Sequence, residues 1–439
     1  MRRIVYVICV ILFIGCKGKA EKVTTDTAVV TRDLPAKVEV NKESGKYVLR
    51  VNKEPFYIHG AGLEFGNISA LASHNANSFR TWRTDNGQRS GKEVLDEAHA
   101  NGLMVTMGIE VGRERHGFDY DDEEAVSKQL MDIKQQVLAL KDHPALLIWG
   151  IGNELNLHYE NPKVWDAVNE ISMMIHEVDP NHLTTTSLAG IGEQEVKYIK
   201  ERCPDLDILS VQMYGDLPQV PRLIREYGWD GPYMVTEWGA TGHWEVPTTS
   251  WGAPIEQNST VKANNYLQRH AKGIASDTTQ CIGSYVFLWG NKQERTPTWY
   301  GIFLEDGKET ESVDVMHYIW NGKWPDNRTP VIENYTLDGK VALDNVTLKV
   351  GSEYSATIEM KDFEEDPLTY RWEILPESTD LKDGGDEETR PEAIEGSIVS
   401  QAAGDVLIKA PEAGAYRLFV YVNDGHNHSA AANIPFMVK

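Results

Sequence analysis

Cysteine is scarce in this chain, with four in 439 residues. None pair as Cys-x-x-Cys, so structural zinc is not expected, and four thiols cannot supply the framework of a disulfide scaffold. Basic charge is short as well: 43 Lys and Arg stand against 66 Asp and Glu, a formal charge of −23. A surface of that sign repels phosphate backbones and excludes nucleic acid as the main partner. Long apolar runs are also missing, since the run Ile4 to Ile14 is too short to cross a bilayer as a helix. What remains is a globular balance of 41% hydrophobic and 25% charged residues, enough to build a core. The length suits two or three domains, or one large barrel with a smaller module.

Arg2 and Arg3 precede the apolar run, and Gly15-Cys16 follows it, an arrangement of secretory-leader length. A small residue followed by Cys resembles the lipobox of bacterial lipoproteins. That resemblance implies a signal peptide over 1–15, lipid on Cys16, and a place in the periplasm or on the cell surface. The membrane would then be touched through the N-terminal lipid only. An ordinary cleaved leader is the alternative. Residues 16–46 are polar and without apolar periodicity, which reads as a flexible tether. Cys203 and Cys281 are the thiols left over.

Eight short apolar runs alternate with helical patterns between 47 and 325. They are Phe56–Gly60, Ser78–Trp82, Leu103–Ile109, Ala145–Gly152, Thr184–Leu188, Ile208–Tyr214, Tyr233–Thr236 and Ile282–Trp289. Val126, Leu130, Ile133, Val137 and Leu140 repeat at helical spacing, as do Val164, Val168, Ile171, Ile175 and Val178. Eight strand–helix pairs predict an α/β fold, a (β/α)8 TIM barrel. A doubly wound sheet would need a Gly-rich phosphate turn, which His59-Gly-Ala-Gly62 only approximates. From 331 to 439 the alternation becomes strand-like, with turn residues between runs, which predicts a small all-β, immunoglobulin-like sandwich. Its acidic loop, Asp380–Glu388, reads as a solvated charged loop in preference to a Ca²⁺ site.

In such a barrel, chemistry gathers at the C-terminal ends of the strands. The fourth run ends Ile148-Trp-Gly-Ile-Gly-Asn-Glu154 and the seventh ends Met234-Val-Thr-Glu237. A carboxylate after an apolar strand is costly to bury unless compensated, so two of them are hard to explain as packing. Glycoside hydrolysis needs such a pair, one to protonate the leaving oxygen and one to attack or activate water. Opposed strands can bring the pair within the roughly 5–5.5 Å of retaining enzymes, which predicts a retained anomeric configuration. Neither a metal nor a cofactor is called for by that chemistry.

Asn153-Glu154 and Glu237 resemble the paired glutamates of the clan of retaining (β/α)8 glycosidases. The resemblance implies that Glu154 is the acid/base and Glu237 the nucleophile. It further implies that Arg80, in Phe79-Arg-Thr-Trp82, stands beside the nucleophile, that Tyr214 hydrogen-bonds it, and that Trp289 floors the reacting sugar. The barrel is most similar to the catalytic domain of glycoside hydrolase family two. Residues 16–46 leave no room for that family's preceding sandwich domains, which points away from an exo-acting β-galactosidase or β-glucuronidase. The order of barrel then immunoglobulin-like domain also resembles the endo-β-1,3-glucanases of family 158. The expected substrate is therefore a β-linked glucan or related polysaccharide or oligosaccharide.

Physical roles follow from the same residues. Glu237 has to stay ionised, helped by Arg80 and Tyr214, while Glu154 has to hold its proton in a more apolar setting. Asn153 is placed to bind a sugar hydroxyl. Trp82, Trp238 and Trp299 are candidates for stacking on sugar faces, as are Trp244, Trp251 and Tyr300; Trp149, inside its strand, is assigned to packing. Arg113–Tyr120 and Gly290–Trp299 are candidate cleft walls, and His158 and His243 follow the glutamate strands. Three rivals stand. A metal-dependent hydrolase would need a His pair, and strand one offers only His59. A glycan-binding lipoprotein would not need two carboxylates, and a transglycosylase would share every catalytic residue.

Overall fold

The structure, a computed structural model, describes residues 34–439. The leader, Cys16 and the first part of the tether lie outside the described residues. The tether ends earlier than expected. Val38–Glu43 (β1), Lys46–Val51 (β2) and Glu54–Pro55 (β3) form an antiparallel sheet. Its polar residues alternate with Val38, Leu49 and Val51, which are buried against Ile58, Ile148, Ile208, Met234 and Ile282. Val38 N–H donates to the Asn181 carbonyl (2.8 Å) and Tyr47 N–H to that of Thr279 (2.8 Å). Both acceptors directly precede barrel strands, so this small sheet plugs the N-terminal end of the barrel.

The barrel strands are Ile58–Gly62 (β4), Ser78–Arg80 (β5), Met104–Ile109 (β6), Leu146–Asn153 (β7), Leu183–Ala189 (β8), Ile208–Gln212 (β9), Tyr233–Glu237 (β10) and Cys281–Val286 (β11). All eight pair in parallel and close on themselves, β11 meeting β4. Both helices expected from periodicity form, over Glu123–Leu140 and Lys163–Val178, and the stripes that defined them face the core, with Val126, Leu130 and Val178 half-buried. Inside the barrel the Tyr285 hydroxyl bonds Ser78 Oγ (2.8 Å) and Thr106 Oγ1 (2.6 Å), so its polar end is satisfied without water. Gly60 is required there: a Cβ would fall 2.5 Å from the Tyr285 ring. Trp149 is core, as assigned, its indole N–H on Asp179 Oδ2 at 2.8 Å. Cys203 and Cys281 are buried free thiols.

Two four-stranded sheets follow. One runs Val331–Leu337, Glu353–Lys361, Asp405–Lys409, Ile398–Ala402; the other runs Thr347–Leu348, Ser429–Val438, Gly414–Asn423, Thr369–Pro376. Trp372, Ile374, Leu418, Val420, Ile434 and Phe436 lie between them as a separate core. This sandwich is fastened to the barrel through buried polar groups. The Glu256 carboxylate accepts from Lys262 Nζ, Thr296 Oγ1 (2.6 Å) and Thr298 Oγ1 (2.8 Å) of the barrel, and from Asn433 Nδ2 (2.6 Å) of the sandwich. Arg417 adds a bond to the Pro254 carbonyl (2.5 Å), and Ile332 N–H one to Thr260 Oγ1 (2.9 Å).

Glu256 and Lys262 are both buried, and a buried charge stripped of its partner is far costlier than an exposed one. Lys262→Met is therefore expected to lower the unfolding free energy by about 3–5 kcal/mol, and Glu256→Gln added to it should restore part of the loss. Chemical denaturation of the three proteins checks this; a single variant as stable as the parent would remove the weight given to the network.

Candidate active site

β7 and β10 deliver their carboxylates to one cavity of about 1250 Å³ at the C-terminal mouth of the barrel, bordered by both Glu154 and Glu237. Glu237 ends β10 and is buried. Three donors hold it: Arg80 Nη1 (3.2 Å) and Trp82 Nε1 (2.9 Å) on Oε1, and Tyr214 Oη (3.0 Å) on Oε2. Burial and the Glu237 charge push the Tyr214 phenol well above its usual range, so it keeps its proton and donates. Arg80 turns its other nitrogen, Nη2, to Asn153 Oδ1 (2.7 Å), and Gln212 Nε2 reaches the same oxygen (2.7 Å). One guanidinium thus spans the ends of both strands.

Glu154 is held differently. Its backbone is left-handed, with φ of +52°, a conformation that costs a non-glycine residue about 1–3 kcal/mol and collects at functional sites. Its N–H donates to the Ser187 carbonyl (2.9 Å), which fixes the turn out of the strand. The side chain is half-buried and what it exposes faces the cavity. Burial, then the charge of Glu237, raise its pKa to about 8 against the pull of Arg115, Arg80 and Arg113. At neutral pH the site thus presents a carboxyl that retains a proton beside a carboxylate braced by three donors.

The other expectations divide. Trp82 and Tyr214 border the cavity, as do His158, His243, Trp244 and Tyr300. Burial depresses His243 to about 4, leaving it neutral. Both candidate wall loops are walls, through Arg113 and His116 in one and Asn291 to Glu294 in the other. Trp289 borders the cavity, but its ring is turned into the core. β11 ends at Val286, and the fully buried Trp289 ring sends its N–H to the Asn67 carbonyl (3.1 Å) and packs on Phe303 and Trp320. Phe287 borders the cavity as well, edge-on to Trp82, Tyr214 and Tyr300.

Trp238 and Trp299 are corrected too. Trp238 is fully buried against Tyr266 and His270, because the residue after Glu237 points to the opposite side of the strand. Trp299 is buried with its N–H on the Thr241 carbonyl (2.9 Å). Trp251 does not border the cavity. Gln212 was missed; its Oε1 is buried without a partner at the cavity edge. The run Asp380–Glu388, expected to be solvated, instead reaches the mouth: Asp386 meets His116 Nε2 (3.0 Å) and Glu388 meets Arg295 Nη1 (3.1 Å). Among the described residues, the one three-acid group close enough to share a cation is Asp362, Glu364 and Asp366 of the sandwich.

Residues 65–268, most of the barrel, match the family model described as glycosyl hydrolases family 2, TIM barrel domain. The barrel resembles the catalytic domain of that family. Among solved structures, a Bifidobacterium dentium β-glucuronidase complexed with coumarin-3-O-glucuronide matches with a TM-score of 0.51 at 18% identity, over 66% of this chain and 50% of that one. A Bacteroides uniformis β-glucuronidase 2, covalently bound to cyclophellitol-6-carboxylate aziridine, also gives 0.51, at 12% identity over 92% of this chain and 48% of that one. The second match runs through the sandwich as well as the barrel. The chain spans about half the length of these structures, and likeness at such identity speaks for the fold.

Two causes raise Glu154, and only one is removable without unpacking the site. Glu237→Gln is expected to bring the Glu154 titration down from about 8, but not to an ordinary carboxyl value, since burial persists. Carboxyl ¹³C NMR on glutamate-labelled protein reads this directly; a titration indifferent to Glu237→Gln would mean the two groups do not sense each other.

Proposed function

We propose that the protein is a retaining glycoside hydrolase that cleaves a neutral β-linked glucan or related oligosaccharide by double displacement. The supporting observation is the asymmetry of the shared cavity: Glu237 is braced as an anion and Glu154 keeps its proton. Glu237 attacks the anomeric carbon while Glu154 gives its proton to the departing oxygen, leaving a glycosyl ester on Glu237. Esterification removes the negative charge that opposed ionisation of Glu154. Glu154 can then take a proton from water as it attacks the same carbon, releasing the sugar with its configuration retained. Asn153, its amide oxygen fixed by Arg80 and Gln212, turns its NH₂ to a sugar hydroxyl near that carbon. Trp82 and Phe287 offer apolar surface to the ring.

The matched structures carry a glucuronide and a carboxylate-bearing inhibitor. Of the three Lys and Arg side chains that border the cavity, Arg83 is spent on Glu64 (2.5 Å) and Lys292 on Glu294 (2.9 Å), which leaves Arg113. Further carboxylates at Glu110, Glu245 and Asp386 border the space. A neutral sugar suits that field better than a uronic acid. The volume exceeds the roughly 300–1,000 Å³ that hold drug-sized ligands, which favours an oligosaccharide over a single ring. The two structures named above are β-glucuronidases and lend no support to an endo-β-1,3 linkage.

Laminarin, mixed-linkage glucan, mannan and aryl β-glycosides, with products sized by chromatography, test the reading. A ladder of oligomers indicates endo cleavage, monosaccharide alone indicates exo action, and products longer than the substrate indicate transfer. Turnover of none would leave a glycan-binding protein. Glu237→Ala and Glu154→Ala should each lower kcat by about 10³-fold or more. Azide should partly rescue Glu154→Ala on an activated aryl glycoside with configuration retained; rescue of Glu237→Ala with retention instead would reverse the roles.

Because Glu154 works as an acid, its active form is the protonated one. Activity is present below its titration point and is lost above it, so the alkaline limb of kcat/KM should fall near pH 8. An alkaline limb unchanged in Glu154→Gln, assayed on an aryl glycoside with a good leaving group, would assign that limb to another residue.

A further inference from the structure

The cavity has a wall that the barrel does not make. The segment 380–388 belongs to the sandwich, in the stretch between strands Thr369–Pro376 and Ile398–Ala402, yet Asp383 through Glu388 border the same space as the two glutamates. Three barrel cations clamp it. Arg115 Nη1 donates to the Asp383 carbonyl (3.0 Å), Lys292 Nζ to that of Gly385 (2.5 Å), and Arg295 Nη2 to that of Lys382 (3.1 Å). Glu388, with its carboxylate fully buried, accepts from the Arg295 N–H (2.6 Å) and guanidinium. Gly384, at φ +60°, is pressed so close that a Cβ would fall 2.2 Å from Arg115 Nη1 and 2.7 Å from Leu157 Cδ2. A side chain there would have to displace the ends of Arg115 and Leu157 and would strain the left-handed backbone.

The clamp lies on the Glu154 side of the cavity. Leu157 and His158 follow Glu154 in the same turn, and His158 Nε2 stands 3.9 Å from Asp383 Oδ2. The space beside an acid that protonates the departing oxygen is where the leaving group sits. Polar groups without partners border it as well. Both amide atoms of Gln293, between the clamping Lys292 and Glu294, are buried with no hydrogen-bond partner, a cost that a ligand's donor and acceptor hydroxyls would remove. Asp383 and Glu387 are exposed at the rim, where carboxylates can accept bonds from hydroxyls and repel anions.

We propose that residues 383–387 of the sandwich form the leaving-group wall of the cavity and select a neutral, hydroxyl-bearing sugar as leaving group. The proposal rests on the hydrolase reading above, and makes the second domain part of the substrate site.

The test uses the full chain carrying Asp383→Ala and Glu387→Ala, with thermal unfolding as the folding check. The readout is the ratio of kcat/KM for a neutral β-linked oligosaccharide to that for an aryl β-glycoside of the same glycone, whose leaving group presents no sugar hydroxyls. That ratio should fall about tenfold or more, and Gln293→Ala should move it the same way. An unchanged ratio in both variants overturns the wall. Binding of a thio-linked, uncleavable oligosaccharide needs no turnover and should weaken by a similar factor. A protein that turns over neither substrate would therefore end the hydrolase reading, while the binding comparison would still decide the wall.

Discussion

The guanidinium of Arg80 is the constraint on which the mouth of this barrel depends. It comes off a strand of three residues, β5, and is itself buried. Its two terminal nitrogens go to the ends of different strands, one to Glu237 and the Thr236 carbonyl, the other to Asn153. A planar cation with its donors in a fixed fork sets the spacing of whatever it bridges. Burying it alone would be prohibitive, and burying Glu237 alone would be too; together they are tolerable. Removing either leaves the other as an uncompensated charge in a low-dielectric space.

From that constraint the chemical difference between the glutamates follows without special pleading. Two carboxylates in one cavity cannot both be cheaply ionised. Arg80, Trp82 and Tyr214 are all aimed at Glu237, so the proton falls to Glu154. The left-handed backbone at Glu154 turns its side chain into the cavity in place of continuing the strand. Strain is concentrated where a relaxed strand would have placed the carboxyl elsewhere.

Much of this was legible because strand periodicity is strict. Once the strands are located, the residues at their ends are fixed: Glu154, Glu237 and Tyr214 meet the cavity, and Arg80 reaches it through its bond to Glu237. The same rule, applied one residue further, would have excluded Trp238, since neighbours on a strand face opposite ways. Phe287, Leu288 and Trp289 defeated it, because the strand stops at Val286 and beyond its end there is no alternation to count. Val38–Glu43 hid among polar residues because one face of that strand meets solvent. The sandwich segment was illegible for a different reason. Its carboxylates find Arg115, Arg295 and His116 more than 90 positions away in sequence or further, and local composition carries no trace of such partners.

The junction between the two domains has a kinematic meaning. Glu256, Lys262, Asn433 and Arg417 meet where water is excluded, and swinging the sandwich outward would tear charges from their partners before any solvent could replace them. Resistance of that kind makes the clamped segment a fixed jamb and not a swinging door. Ligands therefore enter and depart along the part of the rim left uncovered, and the direction of traffic through the mouth is set when the two domains fold against each other.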